Sequence, residues 1–174
     1  MKTTEPSAGA RYALLQLGAT RLMLAQSDIR EIAGVDDIDP ADAPPGGVGW
    51  LRIGRQTCPV YCLSDEMGLM DGIPALRQTC VLLADQGGRF GLLCDQVHML
   101  ETPGAFHPLP ECLRLADSPV EALVLQPDGL ACLGSAPRLA ALIQREARQA
   151  SDHQSGVRQP PPSPARADQT GVHP

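Results

Sequence analysis

The amino-acid sequence predicts an all-β protein with one C-terminal helix. Short apolar runs are separated by clusters of Gly, Pro and Asp at roughly 8–12-residue intervals, the spacing typical of a β-sandwich or of small β-barrels. Aromatic residues make up only 3% of the chain, so we expect Leu, Val, Ile, Ala and Cys to form the core. No internal repeat of fixed period is visible.

Three pairs of apolar runs are joined by turn-forming residues and predict β-hairpins. The first turn is Gly18-Ala19, the second contains Gly87-Gly88, and the third is Gln126-Pro127-Asp128-Gly129. Glycine supplies the positive φ angles of hairpin turns, and Pro-Asp-Gly is a turn-forming combination. The strands predicted around these turns are residues 12–17 and 21–25, residues 79–84 and 90–97, and residues 122–125 and 130–133.

The helix is predicted to start at Ser135, which is a good N-cap residue, with Pro137 in the first turn. Leu139, Leu142 and Ile143 form an apolar stripe at helical spacing, as expected for a helix packed on the sheets. We expect three segments: a flexible leader over residues 1–10, a folded domain over 11–146, and a disordered Pro-rich tail over 147–174.

Charge and hydropathy exclude two classes of function. The net charge is −6 and Lys2 is the only lysine, whereas nucleic-acid binding depends on clustered Lys and Arg. No segment has the roughly 18 consecutive apolar residues of a transmembrane helix. The polar start of the chain lacks the apolar stretch of a signal peptide, so we expect the protein to be cytoplasmic.

The cysteines and histidines predict no cofactor. Cys58 and Cys62 lie on one face of a predicted strand, but no second pair at matching spacing completes a zinc site. Cys94 and His98 have the spacing of a nucleophile and base on one strand. However, the apolar surroundings of Cys94 raise the pKa of a thiol and do not activate it. We therefore interpret the cysteines as reduced, buried side chains.

No set of residues supplies a nucleophile, a base and oxyanion donors together, so the sequence favours a binding protein over an enzyme. The alternative from another class is a small-molecule- or metal-responsive β-barrel sensor. Tight binding of a metal or small molecule would distinguish that sensor.

The order of several motifs resembles the CheW family of chemotaxis coupling proteins. Ile29-Arg30-Glu31-Ile32 is similar to the family's apolar-x-Glu-Ile strand, and an acidic Pro-rich loop follows. Gly91-Leu92-Leu93-Cys94-Asp95-Gln96-Val97 resembles the family's Gly-apolar-apolar-Val-Asp-x-Val stretch and is the most specific match. Arg52-Ile53-Gly54-Arg55 stands where the family usually has Asn-Leu-Arg-Gly. The resemblance covers roughly residues 12–145.

This resemblance implies a fold of two SH3-like five-stranded β-barrels with a C-terminal helix. It also implies the function of a non-catalytic adaptor that couples a CheA-type histidine kinase to methyl-accepting chemoreceptors, in chemotaxis or in type IV pilus motility. Six residues match positions near the family's partner surfaces, namely Ile29, Glu31, Gly54, Arg55, Cys94 and Val97.

Three of these positions also have a purely structural interpretation. Glu31 fits an exposed charge on a strand better than a partner contact, and Arg55 fits a turn residue after Gly54 at least as well. Val97 fits a core position better than an interface.

Overall fold

The computed structural model describes residues 10–116 and 118–156, with side chains to residue 150. The leader expected over residues 1–10 therefore lies outside the described residues except for Ala10, and the last part of the expected tail, residues 157–174, lies outside them as well. Twelve strands and one α-helix are present in the described part of the chain. They are β1 (Tyr12–Leu17), β2 (Thr20–Ala25), β3 (Ile29–Gly34), β4 (Ile38–Asp39), β5 (Gly49–Ile53), β6 (Gln56–Cys62), β7 (Thr79–Asp85), β8 (Gly88–Cys94), β9 (Gln96–Leu100), β10 (Ala105–Pro108), β11 (Val120–Gln126), β12 (Gly129–Gly134) and α1 (Ala136–Gly156).

The strands form two curled, mostly antiparallel sheets, and the predicted fold of two SH3-like barrels is confirmed. The first sheet has the order β10-β11-β12-β2-β1-β9 and the second the order β3-β7-β8-β6-β5-β4. Each sheet has six strands where five were expected. In the second sheet, the edge strand β4 has only two residues. Each sheet contains one parallel pair, β12 with β2 and β6 with β8.

All three hairpins predicted from the turn residues are present, as β1–β2, β7–β8 and β11–β12. The second hairpin differs at its end. The apolar run from Phe90 was expected to continue to Val97 as one strand, but β8 ends at Cys94 and β9 begins at Gln96 in the other sheet. The chain changes sheets at Asp95, whose carboxylate is held by a buried arginine described below.

Three apolar clusters fill the structure. One lies within the first sheet around Met23 and Val124, and one lies within the second sheet around Val60 and Leu82. The third, which we call the central cluster, joins the two sheets and α1. Its buried members are Ala13, Leu15, Leu17, Leu22, Leu24, Leu63, Val81, Leu83, Phe90, Leu92, Cys94, Ala136, Leu139, Ala140, Leu142 and Ile143. Burial of these side chains from both sheets fixes the sheets against each other.

Helix α1 buries the predicted stripe of Leu139, Leu142 and Ile143 in the central cluster. Its cap differs from the expectation. The Ser135 hydroxyl lies 2.6 Å from a carboxylate oxygen of Glu121, to which it donates. Instead, the first helical N–H, that of Ala136, donates to the carboxylate of Asp28 at 3.0 Å. The negative charge of this carboxylate also interacts favourably with the positive, N-terminal end of the helix dipole.

The helix continues to Gly156, although we expected the Pro-rich tail to begin at residue 147. Residues 145–150 read Arg-Glu-Ala-Arg-Gln-Ala, and all of these residue types favour helix. Composition alone made this segment resemble the tail that follows, whereas its local helix propensity extends α1. No helix of the described residues is long and apolar enough to cross a membrane.

Candidate partner-binding surface

Strand β3 carries two of the predicted site residues at an edge of the second sheet. Among the described strands it pairs only with β7. Its ladder has an irregularity between Ile29, which faces Leu83, and Glu31, which faces Leu82. Ile29 is half-buried against the central cluster, whereas Glu31 is exposed. The next residue, Ile32, is 49% exposed, which is high for a large apolar side chain.

Strand β9 forms the corresponding edge of the first sheet, where it pairs with β1. Val97 faces Leu15 on β1 and packs, half-buried, against the central cluster. Met99 is 50% exposed on the same strand. The structure therefore brings Ile29 and Val97 to one apolar cluster from two different sheets. An edge strand with unpaired backbone groups beside exposed apolar side chains is suited to docking a partner.

Gly54 and Arg55 form the turn between β5 and β6, on the side of the second sheet away from β3 in strand order. Gly54 has φ +59°, a conformation that favours glycine, and a Cβ there would meet nothing within 4 Å. Arg55 is exposed. The structure places these two residues on a solvent-facing turn and does not bring them into the central cluster with Ile29 and Val97.

Cys94 is a correction to the predicted partner surface. Its side chain is fully buried in the central cluster, and its Sγ lies 3.5 Å from the Thr79 carbonyl oxygen, to which the thiol donates. Burial, and secondarily the neighbouring Cys80, raises the pKa of this thiol to about 12. Apolar clusters cover both faces of β8, so the residues from Phe90 to Cys94 are all buried and no partner can touch the Cys94 side chain.

The change of sheet at Asp95 separates Cys94 from His98. The two residues were expected on one side of one strand, but they lie on β8 and β9, in different sheets. His98 is exposed and its Nε2 lies 3.1 Å from the Gln96 side-chain oxygen. A thiol that stays protonated at neutral pH and has no base beside it is a poor nucleophile.

Cys58 and Cys62 are both buried on β6. Burial raises the pKa of both thiols, and Arg77 opposes this shift at Cys62. Among the residues that the structure describes, no three His, Cys, Asp or Glu side chains form a group that could hold a metal ion.

A buried arginine near the point where the chain changes sheets was missed by the sequence analysis. Arg77, only 3% exposed, lies just before β7. Its Nη1 donates to the Gln16 carbonyl at 3.2 Å and forms an ion pair with Asp95 at 3.2 Å, while its Nη2 donates to the Leu63 carbonyl at 2.9 Å. Gln16 belongs to the first sheet and Leu63 follows the last strand before Arg77, so one guanidinium ties the two sheets together.

The acceptors continue from Asp95 to the β1–β2 turn. The second carboxylate oxygen of Asp95 accepts the Gly18 N–H at 2.8 Å, and Asp65 accepts the Ala19 N–H at 3.1 Å. Thr20 donates to the Asp65 carbonyl at 2.8 Å. The available signal was Asp95 within the most specific motif, because a carboxylate in an apolar strand needs a partner. Nothing in the local sequence, however, pointed to Arg77.

These features agree with two comparisons with known proteins. A family model described as the CheW-like domain matches residues 11–119, more than half of the chain. The chain belongs to the CheW-like domain family. Its match ends before β11, so the last hairpin and α1 lie beyond it. No curated protein matches the chain significantly.

The fold is also similar to the solved structure of the scaffolding protein TtCheW from Thermoanaerobacter tengcongensis. The TM-score is 0.56 at 18% sequence identity, and the match covers 72% of this chain and 88% of that chain. At this identity the likeness establishes the shared fold. The CheW-like assignment and this structure together confirm the family that the motif order suggested.

Proposed function

We propose that this protein is a non-catalytic adaptor that couples a CheA-type histidine kinase to chemoreceptors. Membership in the CheW-like domain family and the scaffolding protein of similar fold support this role. The observation that carries the proposal is that the edge strands of both sheets, β3 and β9, pack against the same central cluster. These strands also leave two large apolar side chains, Ile32 and Met99, half exposed.

We define the partner surface as Ile29, Glu31, Ile32, Val97 and Met99. Apolar side chains provide the contact area for a partner helix or strand, and the edge backbone groups can in addition hydrogen-bond to an added strand. Glu31 contributes charge, because its side chain is exposed and forms no hydrogen bond or ion pair among the described residues. Arg55 and Gly54 form a second, separate contact in this proposal, and Cys94 no longer belongs to it.

The test is direct binding with purified components. We expect the wild-type protein to bind the regulatory domain of a CheA-type kinase and the cytoplasmic signalling tip of a chemoreceptor, and Glu31→Lys to weaken at least one of the two. Reversing a charge at an interface rim changes association rate and salt dependence most strongly. Glu111→Lys is the matched control, because it makes the same charge change on an exposed residue between β10 and β11, outside β3 and β9.

Ile32→Ala provides an apolar test of the same surface. The side chain is half exposed, so its truncation leaves the core intact. Wild-type binding to neither partner, under conditions where an established CheW protein binds both, would exclude the adaptor role. Equal binding by wild type, Glu31→Lys and Ile32→Ala would instead locate the contact elsewhere on the molecule.

A further inference from the structure

A cavity of about 340 Å³ opens beside the Arg77–Asp95 pair, next to the β1–β2 turn. Its apolar wall is formed by Met70, Pro74 and Leu76 from the loop between β6 and β7. Leu76 is 74% exposed, the highest value for a large apolar side chain among the described residues. Together with Met70 and Pro74, it gives the cavity an apolar wall that a ligand can contact.

The polar wall of this cavity is acidic. Asp65, Glu66 and Asp95 line it, against a single guanidinium, that of Arg77. Asp65 is held in place by the Ala19 N–H. Glu66 is exposed and forms no hydrogen bond or ion pair among the described residues, so its carboxylate is free to meet a ligand.

Arg77 does not make this an anion site. Its Nη1 is already bonded to Gln16 and Asp95, its Nη2 to Leu63, and the side chain is almost fully buried. An incoming phosphate or carboxylate would have to displace these partners and approach two further carboxylates. The balance of charge on the exposed wall therefore favours a cation.

We propose that this cavity is a second docking site, which receives a basic side chain flanked by apolar residues on a partner polypeptide. The aliphatic stem of an Arg or Lys packs on Leu76 and Met70, and its charged head reaches Glu66 and Asp65. This site is separate from the partner surface on β3 and β9 and does not depend on the identity of the kinase or receptor. It goes beyond the adaptor role by assigning a charge preference to an unassigned cavity.

The test uses the full chain and a synthetic peptide with one Arg between Leu residues, flanked by Gly and Ser. Two matched peptides replace this Arg with Glu or with Leu. We expect the Arg peptide to shift the backbone NMR signals of Gly18, Glu66 and Leu76 first. Glu66→Lys should lower its affinity about fivefold to tenfold, because the charge reversal replaces an attraction with a repulsion.

Glu101→Lys is the control, since this exposed acidic residue follows the end of β9 that faces the start of β1, away from the cavity. Glu101→Lys should leave the affinity for the Arg peptide unchanged. Leu76→Ser should lower the affinity for all three peptides, because each of them places Leu residues against this wall. Added salt should weaken the Arg peptide more than the Leu peptide. Equal affinity of the Arg and Glu peptides, or equal losses for Glu66→Lys and Glu101→Lys, would overturn the proposal. Binding of Glu31→Lys separates this result from the adaptor test, because that variant should bind the Arg peptide normally.

Discussion

Arg77 and Asp95 form an ion pair of 3.2 Å across the junction of the two sheets, and both residues are largely withdrawn from solvent. Arg77 precedes β7 and Asp95 separates β8 from β9, so the pair closes a loop around the whole β7–β8 hairpin. Because the same guanidinium also binds backbone carbonyls of Gln16 and Leu63, it connects three segments that are distant in sequence.

Removing the carboxylate of this pair should destabilise the protein. Asp95→Ala leaves the Arg77 charge buried without its counter-ion, which we expect to lower the free energy of unfolding by about 3 kcal/mol. Urea unfolding followed by circular dichroism measures this change. The matched control is Asp128→Ala, which removes the exposed ion pair with Arg21 and should cost less than about 1 kcal/mol. Similar losses in the two variants would contradict the structural role of the buried pair.

Alkaline pH should destabilise the protein through its buried thiols. Burial raises the pKa of Cys94 from 9.0 to about 12, so above pH 9 the unfolded chain releases this proton while the folded chain retains it. The contribution of the protonated Cys94 thiol to the free energy of unfolding is therefore complete below pH 9, and it is lost as the pH rises towards 12. Between pH 8 and pH 10 this thiol should account for a loss of about 1.4 kcal/mol.

Cys94→Val tests the assignment of that loss. The variant should show a smaller decrease in unfolding free energy between pH 8 and pH 10 than the wild type, whatever its absolute stability. Cys112→Ser is the control, because it removes a thiol from an exposed position. If the unfolding free energy of Cys94→Val decreases between pH 8 and pH 10 as much as that of the wild type, the Cys94 thiol does not cause the loss.

The helix cap supplied by Asp28 gives a third prediction. Asp28→Ala removes the acceptor of the Ala136 N–H, and we expect the free energy of unfolding to fall by about 1 kcal/mol. Ser27→Ala, next to it and exposed, should have little effect. Thermal unfolding of the two variants side by side measures the difference, and a loss confined to Ser27→Ala would refute the cap.

Two glycines with almost the same φ should respond differently to alanine. At Gly54, φ is +59° and the space is open, so Gly54→Ala should cost only the backbone strain of about 1 kcal/mol. At Gly18, φ is +61° and a Cβ would overlap the Asp65 carboxylate. The Asp65 side chain must then move aside and lose its bond to the Ala19 N–H, so Gly18→Ala should cost about 1 kcal/mol more than Gly54→Ala. Equal changes in unfolding midpoint would argue against the close approach of Asp65.

The local signals in the sequence predicted the local structure well. Gly18-Ala19, Gly87-Gly88 and the Pro127–Gly129 turn each marked a hairpin, because such turns are determined by the φ angles that their own residues allow. The apolar stripe on α1 was equally readable. Motif order then supplied the family, which turn chemistry alone does not contain.

The candidate site was predicted less completely, for physical reasons. Cys94 is buried because apolar clusters from distant segments cover both faces of β8. The change of sheet at Asp95 is held by an ion pair with Arg77, eighteen positions away. The exposure of Ile32, Met99 and Leu76 depends on which strands remain at the edges. Such properties arise from contacts between segments distant in the chain, and periodicity within one segment does not report them.

The order of the strands has a consequence for how the protein is made. Every strand of the second sheet lies between Ile29 and Cys94, an uninterrupted stretch, whereas the first sheet combines β1 and β2 with strands that begin at Gln96. During synthesis on a ribosome, the second sheet can therefore form before β9 and β12, the strands that pair with the β1–β2 hairpin, have been made. This hairpin exposes Tyr12, Leu14 and Met23 until then, because their apolar neighbours on β11 and β12 are synthesised last. We expect this interval to be the stage most vulnerable to aggregation.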